Sequence, residues 1–174
     1  MVTGALEQLL NDTNWSDLDY LVIDLPPGTG DIQLTLAQKV PLTGALIITT
    51  PQDISLIDAR KGLKMFEKVN VPILGIVENM STYICPKCGN EDDIFGNGGG
   101  EQMCEDYGLD LLAKLPLNKI IRENTDAGKP TALGGQESSI NNIFKTLAVK
   151  TAYKLSLLKK DYSLTFPDII IKND

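Results

Sequence analysis

The stretch Tyr20-Leu21-Val22-Ile23-Asp24-Leu25-Pro26-Pro27-Gly28-Thr29-Gly30-Asp31 joins a short apolar run to an acid and then to a Pro/Gly turn. An apolar run of that length without alternation is the pattern of a strand buried on both faces, which belongs in a parallel sheet covered by helices. Ligands of open α/β sheets bind at the carboxyl edge, so Asp24 and Gly28 stand at a candidate binding edge. In a nucleotide-binding sheet the acid holds Mg²⁺, usually through water, and the Gly28 N–H approaches a terminal phosphate with no Cβ in the way. The same residues also read as a strand ending in a Pro-Gly turn whose Asp caps the next segment.

Working outward, the alternation of apolar runs with helix-periodic stretches continues along the chain. A helix is expected near Asp31 to Lys39, then a second strand over Ala45 to Thr50 stopped by Pro51, then a longer helix from Ile54 to Lys68 with Asp53 or Ser55 as its cap. A third strand, Ile73 to Val77, leads through Glu78-Asn79-Met80 into an irregular Cys- and Gly-rich insert over 81–100. Beyond it come a helix from Gly100 to Tyr107, a strand over Leu111 to Leu115 ending before Pro116, and a short helix over Leu117 to Thr125. Ser138 to Lys159 is the longest amphipathic stretch, with Ile140, Ile143, Phe144 and Leu147 on one face. The fold class is α/β, a mostly parallel sheet flanked by helices. The tail over 160–174 reads equally as an edge strand or as disorder, and no linker or internal repeat divides the 174 residues.

Composition narrows the chemistry. Sixteen Lys and Arg against 23 Asp and Glu leave a net charge of −7, which argues against a broad nucleic-acid footprint. No apolar run reaches the roughly 18 residues that cross a bilayer, and the first fifteen residues lack the pattern of a secretory signal. A cytoplasmic protein with no membrane partner is the expectation. The chain has no histidine, which removes imidazole catalysis and every His-ligated metal site, so acid/base work falls to carboxylates or lysines.

Three cysteines are too few for a disulfide scaffold. Cys85-Pro86-Lys87-Cys88-Gly89 supplies two thiolates on a short knuckle, a spacing used for an iron–sulfur cluster, for zinc or for a redox pair. Two ligands do not close a tetrahedral site, and Cys104, at a helical position beside Met103, reads as a small buried hydrophobe. A four-thiolate centre therefore requires a second copy of the chain, related by a two-fold axis. Gly96-Asn97-Gly98-Gly99-Gly100 has the look of a phosphate loop, but Glu101 follows where Gly-Lys-Ser/Thr is required, so it reads as a turn into the next helix.

Taken together, DLPPGTGD after LVI, TTPQDISLIDARKG, GIVENMS, CPKCG, FGNGGGE and LPLNKIIRENTDAGKP resemble the Mrp-type (ApbC-like) ATPases. These are iron–sulfur cluster carriers of the deviant-Walker P-loop class, related to MinD and ParA. The resemblance runs from Val2 to Leu133 and implies a P-loop NTPase fold of the SIMIBI type. By it Asp24 is the Walker B acid at the head of the switch II loop, Asn79 reads the adenine edge, and Pro116 lies in the loop that packs near the base. An Asn suits that task because its amide offers one donor and one acceptor; on residues alone Asn79 reads equally as a strand-end turn. The resemblance further implies a 4Fe–4S cluster bridging two chains through Cys85 and Cys88, with zinc the alternative metal, and ATP with Mg²⁺ in the complete protein. A homodimer and apo iron–sulfur client proteins are the partners it implies.

A P-loop ATPase needs a glycine loop around the β-phosphate and a lysine to neutralise it. No such run occurs in these 174 residues. In the family that loop precedes the segment matching Val2 to Leu6, so the expectation is a single domain, 1–174, truncated at its N-terminus and inactive in ATP hydrolysis by itself. Two other readings stand beside cluster carriage: a partitioning or positioning ATPase of the MinD/ParA kind, and a non-catalytic zinc-binding dimer module.

Overall fold

The structure is a computed structural model that describes residues 2–25, 30, 37, 40, 42–133 and 139–158. Helix α1 (Val2–Asn11) leads into coil over 12–25. Strand β1 (Ala45–Thr49) and helix α2 (Asp53–Lys68) follow, then the long strand β2 (Ile73–Ile84) and the two-residue β3 (Glu91–Asp92). Helix α3 (Gly99–Tyr107), strand β4 (Leu111–Leu117), helix α4 (Lys119–Asp126) and helix α5 (Ser139–Leu157) complete the order.

β2 is the central strand. β1 pairs with it in parallel, Thr49 opposite Glu78, and β4 pairs in parallel on its other edge, with Lys114 opposite Glu78 and Leu115 opposite Asn79. β3 pairs antiparallel through Tyr83–Asp92 and Ile84–Glu91, which makes the sheet mixed. The β1 to β2 connection is the α2 crossover that parallel pairing demands.

Alternation along each strand sends side chains to two separate cores. Ala45, Ile47 and Ile76 face α2 and α3 and pack with Leu56, Leu63, Phe66, Met103 and Cys104. Val77, Leu112 and Leu115 face the opposite way, where Ile143, Phe144 and Leu147 of α5 cover them. Helices on both faces explain why β1 and β2 read as continuous apolar runs.

Several expectations change. Tyr20 to Ile23 form no strand: the segment is coil, with Val22 89% exposed. A parallel strand exists only through its ladder, and β1 pairs with β2 alone among the described residues, so 20–23 has no neighbour. Neither Asp53 nor Ser55 caps α2. Gln52 stands at the N-cap without a side-chain bond, and the Ser55 Oγ instead accepts the Thr50 N–H at 3.0 Å. β2 continues seven residues past Val77, and β4 runs through Pro116 because a missing N–H is tolerated on a sheet edge. Of the helix expected near 31–39 only Ala37 is among the described residues, and it is helical, while the tail over 160–174 lies outside them.

Candidate functional site

The cysteine knuckle is the turn of a β-hairpin. β2 and β3 are its arms, and the Cys85 N–H donates to the Asn90 carbonyl at 2.9 Å, one more rung beyond Ile84–Glu91. The Gly89 N–H then donates to the Cys85 carbonyl at 2.9 Å. That tight return uses φ of +71° at Gly89, a conformation glycine adopts without cost. Below the turn, Thr82 Oγ1 donates to Asp93 Oδ1 at 3.2 Å and ties the two arms together.

The backbone N–H groups of Lys87 and Cys88, followed by the Cys88 side chain, hold the Cys85 thiol below its ordinary pKa. A thiolate so stabilised is the form that ligates metal. Cys85 is half-buried and Cys88 exposed, so the pair faces outward. Among the described residues no group of three or more Cys, Asp or Glu is arranged to hold a metal. Two outward-facing thiolates with no third ligand among the described residues suit a metal or cluster that finds its remaining ligands elsewhere. Cys104 does not supply one: it is buried in the core, and burial, followed by the charges of Asp110 and Glu78, pushes its thiol pKa up.

Asn79 and Pro116 come together, since Asn79 is opposite Leu115 on the adjoining strand. The Asn79 Oδ1 accepts the Met80 N–H at 2.9 Å, and Met80 has φ of +55°, rare for an unbranched apolar residue. Between Asn79–Leu115 and Tyr83–Leu117, β2 spends four residues against two on β4, a bulge. The Ser81 hydroxyl fills it by donating to the Leu115 carbonyl at 3.1 Å. Asp24 is exposed in the coil before β1, and Gly28 lies outside the described residues.

Sequence reasoning passed over Glu78. It is 1% exposed, it accepts the Gly100 N–H at 2.7 Å, and Lys114 lies 4.0 Å from its other oxygen. The signal was present: a charged residue at the carboxyl end of an otherwise apolar parallel strand. The glycine run at 96–100 meets its expected role as a turn into a helix, with Gly98 in the left-handed region at the N-cap of α3.

A family model described as the ParA-type NUBPL iron-transfer P-loop NTPase matches residues 1–152. The chain belongs to this iron-transfer family. Among family relatives, an iron-sulfur cluster carrier protein of Pseudomonas fragi is 60% identical over 149 residues, covering 86% of this chain and 52% of that protein. A nucleotide-binding protein from Archaeoglobus fulgidus, solved in complex with ADP and with Co, has a TM-score of 0.69 at 34% identity, over 82% of this chain and 58% of that one. The Pyrococcus furiosus cell division ATPase MinD follows at a TM-score of 0.61 and 27% identity, over 79% and 53%. These matches bear out the α/β P-loop NTPase fold and the resemblance to iron–sulfur cluster carriers. The chain spans about half the length of the proteins it matches. Among the described residues no helix is long and apolar enough to cross a membrane.

Proposed function

We propose that this chain carries an iron–sulfur cluster as cargo, held by Cys85 and Cys88 and shared with the same pair on a second copy. The observation that supports this most directly is the hairpin turn, whose backbone N–H groups hold the Cys85 thiol below its ordinary pKa while both cysteines face outward, with no closed ligand set among the described residues. Four thiolates from two chains are what a 4Fe–4S cluster requires. Exposure suits a cargo site, because a cluster to be delivered to apo client proteins must be reached by their own thiolates.

Nucleotide enters this reading through the middle of the same strand. Asn79, beside Pro116, presents an amide to the adenine edge, and in the complete protein Asp24 holds the Mg²⁺ of bound ATP at the switch loop that includes Gly28. ATP turnover also needs a glycine-lysine phosphate loop, which these residues do not contain. The knuckle favours cluster carriage over a positioning role, since a positioning ATPase has no use for an outward thiolate pair.

Anaerobic reconstitution with iron and sulfide tests the proposal. The expected product holds about four irons per two chains, with broad visible absorption, and Cys88→Ser abolishes it. A colourless product that takes only zinc overturns cluster carriage in favour of a zinc-clipped dimer.

A further inference from the structure

Glu78 carries a carboxylate at a point where the fold has almost no room for one. The sheet register sets it between Thr49 of β1 and Lys114 of β4, and its surface is all but fully covered. A buried carboxylate is costly unless it is bonded and paired. Here Oε2 accepts the Gly100 N–H in the first turn of α3, where the helix dipole favours a negative charge. Oε1 faces the Lys114 ammonium, which Glu101 holds from the other side at 2.8 Å. A Cβ at Gly100 would lie 2.8 Å from Glu78 Oε2 and 3.1 Å from its Cβ, so glycine alone allows the helix to come this close.

The chain between these partners runs on from Glu78 beyond the end of β1 and returns at Gly100 to the same carboxylate. Asn79, the bulge, the hairpin and both knuckle cysteines lie on that excursion. The Glu78–Gly100 bond closes it at the base.

We propose that Glu78 is a positioning residue: by clasping Gly100 it fixes the base of the cysteine excursion, so that the knuckles of two copies can meet in one four-thiolate site. This rests on the reading that the thiolate pair is shared between two copies. A shared tetrahedral site tolerates errors of about 0.2 Å in ligand position, and those errors accumulate over two chains. Chelation by one knuckle needs only the local turn, which the clasp does not touch. Losing the clasp therefore weakens sharing and spares the knuckle.

The test uses the full chain, reduced and anaerobic, with two probes. Phenylarsine oxide reports a single knuckle, because it bridges two thiols of one chain, and Co²⁺ reports the shared site through its tetrahedral thiolate spectrum at about half an ion per chain. In Glu78→Ala the arsenical binds as in the parent chain while Co²⁺ affinity falls about tenfold or more, as for loss of a supporting residue. Glu78→Gln keeps an acceptor for the Gly100 N–H and recovers most of the loss. Gly100→Ala attacks the clasp from its other partner, reproduces the loss, and stands in if Glu78→Ala does not fold. Unchanged Co²⁺ affinity and stoichiometry in a folded clasp variant overturns the proposal, as does an equal loss of arsenical binding. A parent chain that binds Co²⁺ at one ion per chain without the four-thiolate spectrum overturns the shared-site reading itself, before any variant is made.

Discussion

Replacing Cys104 by alanine removes one sulfur from the core between α2, α3 and the sheet, and the packing sets the cost. Cys104 is 6% exposed and belongs to the cluster with Leu56, Leu63, Phe66 and Met103. Deleting its sulfur forfeits the burial of a group about the size of a methylene, about 0.8 kcal/mol. The void left, on the order of 25 Å³, adds about 0.6 kcal/mol at ~24 cal/mol per Å³. Cys104→Ala should therefore lose about 1.4 kcal/mol, which is about 3–6 °C in Tm for a chain of this size. In urea, with a slope of about 2 kcal/mol/M, the midpoint falls by about 0.7 M. The variant should also change the alkaline limb of stability. Burial raises the thiol pKa in the folded state, so above the ordinary thiol range the unfolded chain holds fewer protons than the native one. Stability then falls as pH rises towards the folded value, and the alanine variant lacks that part of the slope. Iron content after reconstitution should match the parent, since the sulfur packs against apolar side chains. A midpoint shift below about 0.2 M would refute the packing account; loss of iron from folded Cys104→Ala would show instead that this sulfur is a ligand.

Two further substitutions follow from side chains bonded near the two ends of β4. Asn118 caps α4 by accepting the Ile120 N–H at 2.8 Å, so Asn118→Ala should cost about 1 kcal/mol and speed amide exchange over Lys119–Asp126. Unchanged exchange there would show that α4 does not depend on the cap. Lys154 pairs with Asp110 and holds its carboxyl below the ordinary range, which contributes stability above the ordinary carboxylate range and loses it as pH falls through the folded value. The Asp110 side chain is 71% exposed and solvent screens the pair, so Lys154→Ala should change stability by less than about 0.5 kcal/mol in a denaturant titration. A larger loss would point to packing of the lysine stem.

Much of the fold was legible because burial on both faces leaves a plain mark. Ala45 to Thr49 and Ile73 to Val77 are uninterrupted apolar runs, and the α2 and α3 boundaries fall within a residue of those expected from periodicity. Tyr20 to Ile23 carry the same mark and form no strand, because pattern reports what a segment is suited to bury, whereas pairing depends on which neighbour is there. The extension of β2 to Ile84 left little signal: Ser81, Thr82 and Tyr83 are half polar, and their strand geometry comes from pairing with β3 and β4. At the site, the two-thiolate knuckle could be read from spacing, while the donors that stabilise Cys85 are backbone groups and leave no trace in side-chain identity. A charge at the end of an apolar strand marked Glu78, but its partner was hidden for a related reason, being a glycine N–H twenty-two residues away.

The overhang of β2 makes the hairpin a lever. β1 ends opposite Glu78, and from Asn79 the strand runs out past it to Cys85 over roughly 15–20 Å, at about 3.3 Å per residue less the bulge. A tilt of about 3° at the base, where the Asn79 amide sits, shared by β4, which stays paired out to Leu117 opposite Tyr83, would swing the thiolates by about 1 Å, several times the roughly 0.2 Å that metal–sulfur bonds forgive. Small angular displacements at the root are thereby magnified at the tip, and the strand that presents an amide midway along its length is also the arm that carries the sulfurs beyond its end.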